Sequence, residues 1–195
     1  MAVQGDDKFL IARVQSGDID ALGLLYRRYR AQVYRTALAI TCDEAMSEDI
    51  LQEAFVRVHK YASSFDASQP IEPWLYRITV NLTYTWLNRT KRLLNLFQGA
   101  LEWVSASSKQ APEVVSESQE QNKVLQRAIN GLPDTQKTVV ILHYLEDLSV
   151  SEVAYVLGIA EGTVKSRLYH ARQKLKKSIT ERGYVRLSEV VYEIA

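Results

Sequence analysis

Between Thr163 and Lys177 the chain carries Lys165, Arg167, Arg172, Lys174, Lys176 and Lys177 and no acidic residue. Val164, Leu168, Ala171 and Leu175 recur through the same stretch at helical spacing, so one apolar stripe turns inward and the charged side chains stay wet. Ser166, Tyr169, His170 and Gln173 then point away from the protein, with Thr163, Lys165, Arg167 and Arg172 on the flanks. Ammonium and guanidinium groups on such a helix neutralise phosphates, and hydroxyl, amide and imidazole groups beside them can bond base edges. Thr163, Lys165, Ser166, Arg167, Tyr169, His170 and Arg172 are therefore the candidate residues for double-stranded DNA. The plainer alternative is a solvated basic face on an ordinary helical hairpin.

A second group mixes rings with cations: Tyr61, Phe65, Trp74, Tyr76, Tyr84 and Trp86 are interleaved with Arg77, Arg89, Lys91 and Arg92. Aromatic faces next to cationic groups hold unstacked bases. Aromatics at helical spacing are more often core, and Trp74 and Trp86 are expected to serve partly there. Arg77 and Asn81 are the polar members best placed to read a base edge. A third group is acidic, Asp43, Glu44, Glu48, Asp49 and Glu53, far along the chain from the basic helix. Opposite local charges on a chain of net charge +1 suggest two different partners.

Catalysis has little to stand on. His59, His143 and His170 fall in separate helical segments, no nucleophile elbow or phosphate-cradling glycine loop is present, and the single cysteine, Cys42, has no evident activating partner. No enzyme activity, metal or cofactor is expected. One cysteine makes no internal disulfide, which fits a reducing cytosol, and Asp6 and Asp7 precede any apolar run, unlike a signal peptide. No stretch reaches the length of a membrane span, so no membrane insertion is expected.

The elements that position these groups all read as helices. The basic helix is preceded by a strongly punctuated one: Ser149 and Glu152 form a capping box, Leu148 and Val153 a hydrophobic staple, and Gly158 with Ile159 a Schellman stop against Ala154. Two short helices around a glycine turn make a helix-turn-helix. Upstream, Lys8 to Val14 is a short helix stopped by Gly17. Asp18 or Asp20 caps a long helix with Leu22, Leu25, Tyr26, Tyr29, Val33, Ala37 and Ile40 inward and Arg27, Arg28, Arg30 and Arg35 outward. Ser47 caps a third helix that buries Ile50, Leu51, Ala54, Phe55 and Val58 and shows Glu48, Asp49, Gln52 and Glu53. A loop from Ala62 to Pro73 leads to a fourth, with Pro73 at its first position and Leu75, Ile78 and Leu82 inward. An apolar stub, Leu93 to Val104, fades into the polar, aperiodic Ser105 to Ser118, which reads as a domain linker. Ser118 and Gln121 cap a helix ended by Gly131 and Pro133, and another runs through Val139, Val140 and Leu142 to Leu145 into the helix-turn-helix. The tail from Arg186 to Ala195 has Leu187, Val190, Val191 and Ile194 at helical spacing. The expected fold is all-α, two small helical domains joined by a flexible linker.

The order of these parts resembles the extracytoplasmic-function sigma factors of the sigma-70 family, which keep only the second and fourth sigma regions. The resemblance is carried by Ser47-Glu-Asp-Ile-Leu-Gln-Glu-Ala-Phe55, Pro73-Trp-Leu-Tyr-Arg-Ile-Thr-Val-Asn81, Leu132-Pro133, and Gly162-Thr-Val-Lys-Ser-Arg-Leu168 with Ala171-Arg172, in that order along nearly the whole chain. It implies region 2 over residues 1–92, a linker over 93–117, region 4 over 118–182 and a tail over 183–195 outside the shared pattern. It further implies a non-catalytic subunit of RNA polymerase that selects and opens promoters. Asp49, Gln52 and Glu53 match the surface that docks on the beta-prime clamp coiled coil of core polymerase, and region 4 implies contact with the beta flap. Tyr61, Phe65, Trp74, Arg77, Asn81 and Tyr84 fall where the minus-ten strand is held open and a base flipped into a pocket. The helix with Lys165, Ser166, Arg167 and Tyr169 would read the minus-thirty-five element in the major groove. An anti-sigma protein as partner, and a bacterial cytoplasmic location with retention at the inner membrane by that partner, are implied by the family alone. An autonomous helix-turn-helix regulator, normally dimeric on a palindrome, is the competing reading and leaves the acidic helix and aromatic loop without a role.

Overall fold

The structure, a computed structural model, describes residues 6–97 and 117–181. Among these residues there is no strand. Helix α1 is Asp7–Gln15, α2 Ile19–Thr41, α3 Glu44–Tyr61 and α4 Ile71–Phe97, with a 3-10 turn, Ala62–Ser64, after α3. The second set is α5, Glu117–Asn130; α6, Asp134–Val140, which widens into a π turn at Ile141–Leu145; α7, Val150–Leu157; and α8, Glu161–Thr180. The stub beyond Phe97, the linker and the tail from residue 182 lie outside the described residues, as does the side-chain pairing of Ser118 with Gln121.

Helices α1 to α4 close around one apolar core. Leu10, Ile11 and Val14 of α1 meet Leu25 and Val33 of α2, Ile50, Ala54 and Val58 of α3, and Leu75 and Leu82 of α4. Tyr26 meets Phe55 edge-on at 5.0 Å, a geometry that aromatic quadrupoles favour. Trp74 and Trp86 pack partly against this core, as expected. Tyr29 fixes the entrance: its hydroxyl donates to Asp7 Oδ2 at 2.6 Å and reaches Glu72 Oε1 at 3.2 Å. Burial, and then those two carboxylates, push its phenol far above the ordinary range, so it remains a donor.

The helix starts show which residues act as caps. Asp18 accepts the Ala21 N–H and caps α2, and Arg13, bonded to it at 2.6 Å, holds its carboxyl below the usual carboxylate range. Helix α3 begins a turn earlier than a Ser47 cap predicts. Cys42 ends α2 at φ 58°, and Asp43 then turns its carboxylate onto the Met46 N–H and caps α3. Ser47 is buried inside the helix and donates to the Asp43 carbonyl at 2.6 Å. Pro73 is the third residue of α4 rather than its first; it is still in the turn whose N–H groups have no helical partner, so it costs no hydrogen bond. Helix α4 continues past Arg92 and takes the first residues of the predicted stub.

The second core belongs to both halves. Leu132, Val139, Leu142, Val153, Val164, Leu168 and Leu175 are packed together with Ile40 of α2 and with Tyr76 and Val80 of α4. The two domains are thus in direct apolar contact.

Candidate functional site

The helix-turn-helix is built as its residues dictate. The Ser149 hydroxyl accepts the Glu152 N–H at 3.2 Å and the Glu152 carboxylate accepts the Ser149 N–H at 2.8 Å, completing the capping box. Gly158, at φ 63°, ends α7, and the Ile159 N–H closes onto the Ala154 carbonyl at 3.1 Å as a Schellman motif requires. Helix α8 starts after Ala160, which offers no side-chain cap. Val164, Leu168, Ala171, Leu175 and also Ile179 are buried. Thr163, Lys165, Ser166, Tyr169 and His170 are exposed together, Tyr169 at 56%, while Arg167 and Arg172 are half-buried at the edge of the same face. This face is convex, cationic and hydrogen-bonding, as a helix entering a major groove must be.

The aromatic group surrounds a cavity of about 820 Å³ at the junction of the loop after α3 with α4. Tyr61, Phe65, Trp74, Arg77 and Asn81 line it, joined by Arg57, Ser64, Asp66 and Gln69. Phe65 is buried and stacks on Trp74 at 4.6 Å and 29°, so the two lining rings brace each other. Asp66 is held by the Ser68 N–H at 2.9 Å, and this bond lowers its carboxyl below the usual range, so the rim carries an acceptor. A planar base fits such a space, with rings for its face and an amide, guanidinia and a carboxylate for its edge. Tyr84 is placed elsewhere: its hydroxyl donates to Thr138 Oγ1 of α6 at 2.8 Å. Burial, above all, raises its phenol.

Asp49 and Gln52 are exposed on the outer face of α3 beside Glu48, and Glu53 is half-buried, paired with Arg57 at 3.0 Å. Val56, 60% exposed, adds an apolar patch to that face. The three sequence-predicted groups therefore occupy three distinct surfaces.

Sequence reasoning missed Glu146. It follows the π turn, whose wider loop is closed by the Glu146 N–H on the Ile141 carbonyl, and its side chain is wholly buried. It accepts from Arg35 Nε at 3.1 Å and Nη2 at 2.6 Å, from Thr36 Oγ1 at 2.8 Å and from Tyr76 at 2.7 Å. Arg35 is exposed, as its outward position predicts, and its guanidinium also bonds this carboxylate, whose hydrogen bonds raise it further. Burial and the same carboxylate push the Tyr76 phenol far up, and the Gln32 amide also bonds its oxygen. Nearby, Lys137 buries its ammonium on the Ile40 carbonyl at 2.8 Å. Nothing local marks Glu146 in the sequence.

Two family patterns match the chain: Sigma-70 region 2 over residues 25–93 and Sigma-70, region 4 over residues 122–175. The ECF RNA polymerase sigma factor SigW of Bacillus subtilis is 32% identical over 178 residues, covering 88% of this chain and 95% of its own. SigM of Mycobacterium tuberculosis is 33% identical over 92% of this chain and 86% of its own, and the sigma-E factor of Escherichia coli 30% identical over 92% and 97%. The chain belongs to the extracytoplasmic-function sigma factors. It is an alternative sigma factor, binding RNA polymerase and promoter DNA. The fold is shared with CnrH, solved with the cytosolic domain of CnrY (TM-score 0.65, 22% identity, 90% of this chain and 97% of that one). It is shared also with RpoE of Bartonella quintana, solved with the anti-sigma factor NepR (TM-score 0.64, 21% identity, 77% and 91%). No helix among the described residues is long and apolar enough to cross a membrane.

Proposed function

We propose that the three surfaces divide the work of this sigma factor, and that the chain has no catalysis of its own. Asp49, Gln52 and Glu53 dock on the basic beta-prime clamp coiled coil of core polymerase, with region 4 on the beta flap. Tyr61, Phe65, Trp74, Arg77 and Asn81 take an unstacked base of the minus-ten strand, and Tyr84 joins them once it leaves Thr138. Thr163, Lys165, Ser166, Arg167, Tyr169, His170 and Arg172 read the minus-thirty-five element. Residues 1–92 form the first working unit, 93–117 a linker along polymerase, 118–182 the second unit and 183–195 a tail. The protein acts in the cytoplasm and is held inactive by an anti-sigma protein that covers the polymerase-binding face.

The observation that carries this is the cavity: rings and base-edge partners from the end of α3, the loop after it and α4 converge on a space large enough to admit a nucleobase. An autonomous dimeric regulator would use neither this cavity nor the acidic face of α3. The test is core polymerase capture followed by run-off transcription. Reversing Asp49 and Glu53 to Lys leaves the helix exposed and folded but is expected to abolish capture, because it sets like charges against a basic partner. Unchanged capture would remove the α3 face from the docking surface.

A further inference from the structure

The cavity is not walled by the first domain alone. Ser151, Glu152 and Tyr155 of α7 complete its lining, and Arg77 lies 5.1 Å over the Tyr155 ring, a cation–π contact that occupies the guanidinium. Glu152 adds a carboxylate to the same wall. A DNA strand entering would have to displace Tyr155 from Arg77 and run against that charge.

The contact is not a loose collision of two surfaces. Every hydrogen bond that the structure gives the Glu146 carboxylate comes from the first domain: Arg35, Thr36 and Tyr76. Burying a carboxylate is costly unless its partners are complete and well placed, and here a bidentate guanidinium and two hydroxyls supply them. Such a group adds little to affinity compared with an apolar pair, but it permits only one register of the domains. Lys137 on the Ile40 carbonyl and Lys91 on Asp134 at 2.7 Å hold the same register.

We propose that this sigma factor inhibits itself: its second domain latches onto the first through Glu146 and holds α7 across the single-strand cavity. The inference rests on reading that cavity as the minus-ten site. The outer face of α3 stays exposed in the closed form, so polymerase can engage the closed chain, and separating the two domains on the enzyme uncovers the cavity.

The test uses the full chain, small-angle scattering for closure, and fluorescence anisotropy with a short single-stranded DNA of mixed sequence for access. Wild type is expected to scatter as a compact particle and bind weakly. Glu146→Ala is expected to expand the particle and tighten DNA binding by roughly tenfold or more, since apparent affinity scales with the fraction in the open form. Glu146→Gln, nearly isosteric, serves the same end should the Ala variant not fold. Tyr155→Ala, at an exposed position, is expected to tighten binding without expansion. Expansion with unchanged affinity, or a wild type already as expanded as Glu146→Ala, overturns the proposal. Trp74→Ala in the Glu146→Ala background separates the two readings: if it leaves the gained binding intact, the cavity is not the DNA site and occlusion falls with it, while the scattering still reports the latch.

Discussion

At the residue scale, what a side chain does here depends on whether its partners are near in sequence. Lys165 and Arg167 could be assigned to DNA because their helix carries its own frame: the stripe of Val164, Leu168 and Leu175 states which way the others point. Replacing Lys165 or Arg167 by Ala is expected to weaken promoter binding by about 1–3 kcal/mol if the contact is to a base, with relaxed selectivity at one position. Competition binding against a promoter with that base changed decides the matter. An equal loss on every sequence assigns the side chain to phosphate. Glu146 was illegible for the opposite reason: its partners Thr36 and Arg35 lie 110 and 111 positions away, and a single Glu between two helices looks like any solvated loop residue. Arg35 stays on the outward face with half of its side chain in water, but that position does not disclose the carboxylate it meets from the other domain.

At the element scale, helix ends were legible where one candidate stood alone and misread where two competed. Ser149, Glu152 and Gly158 form a complete start and stop with no rival nearby. Asp43 and Ser47 are both good cap residues a turn apart, and the choice depends on the left-handed turn at Cys42, which delivers the chain to Asp43. The π turn at Ile141–Leu145 was also hidden, because an apolar run shows no difference between α and π winding. Gly158 offers the sharpest test of the punctuation. At φ 63° with nothing within 4 Å of the place a Cβ would take, Gly158→Ala meets no steric obstacle and only the left-handed backbone penalty. It should cost about 1–2 kcal/mol in urea unfolding. Gly158→Asn should cost less, because Asn tolerates this conformation. Equal losses for both, or none, would mean that the turn is not the determinant of the stop.

At the scale of the whole molecule, the apolar period of each helix told what is buried but not against which domain. Ile40, Tyr76 and Val80 complete the second domain's core, whereas their neighbours Ala37, Leu75 and Ile78 serve the first. Helices α2 and α4 are therefore apolar on two faces, and heat should melt the wild type in one cooperative step, because the two cores share these helices. Val80→Asp tests this. Val80 is 1% exposed in the closed form, so a carboxylate there has no water and no partner, a cost of several kcal/mol that separation of the domains would relieve. The first core keeps all of its own members in the variant, and the α5 to α8 stripe keeps its internal contacts. Calorimetry of Val80→Asp should then show two transitions in place of one. A single transition at lower temperature would instead mean that neither half folds without the other, and that the chain cannot open without unfolding.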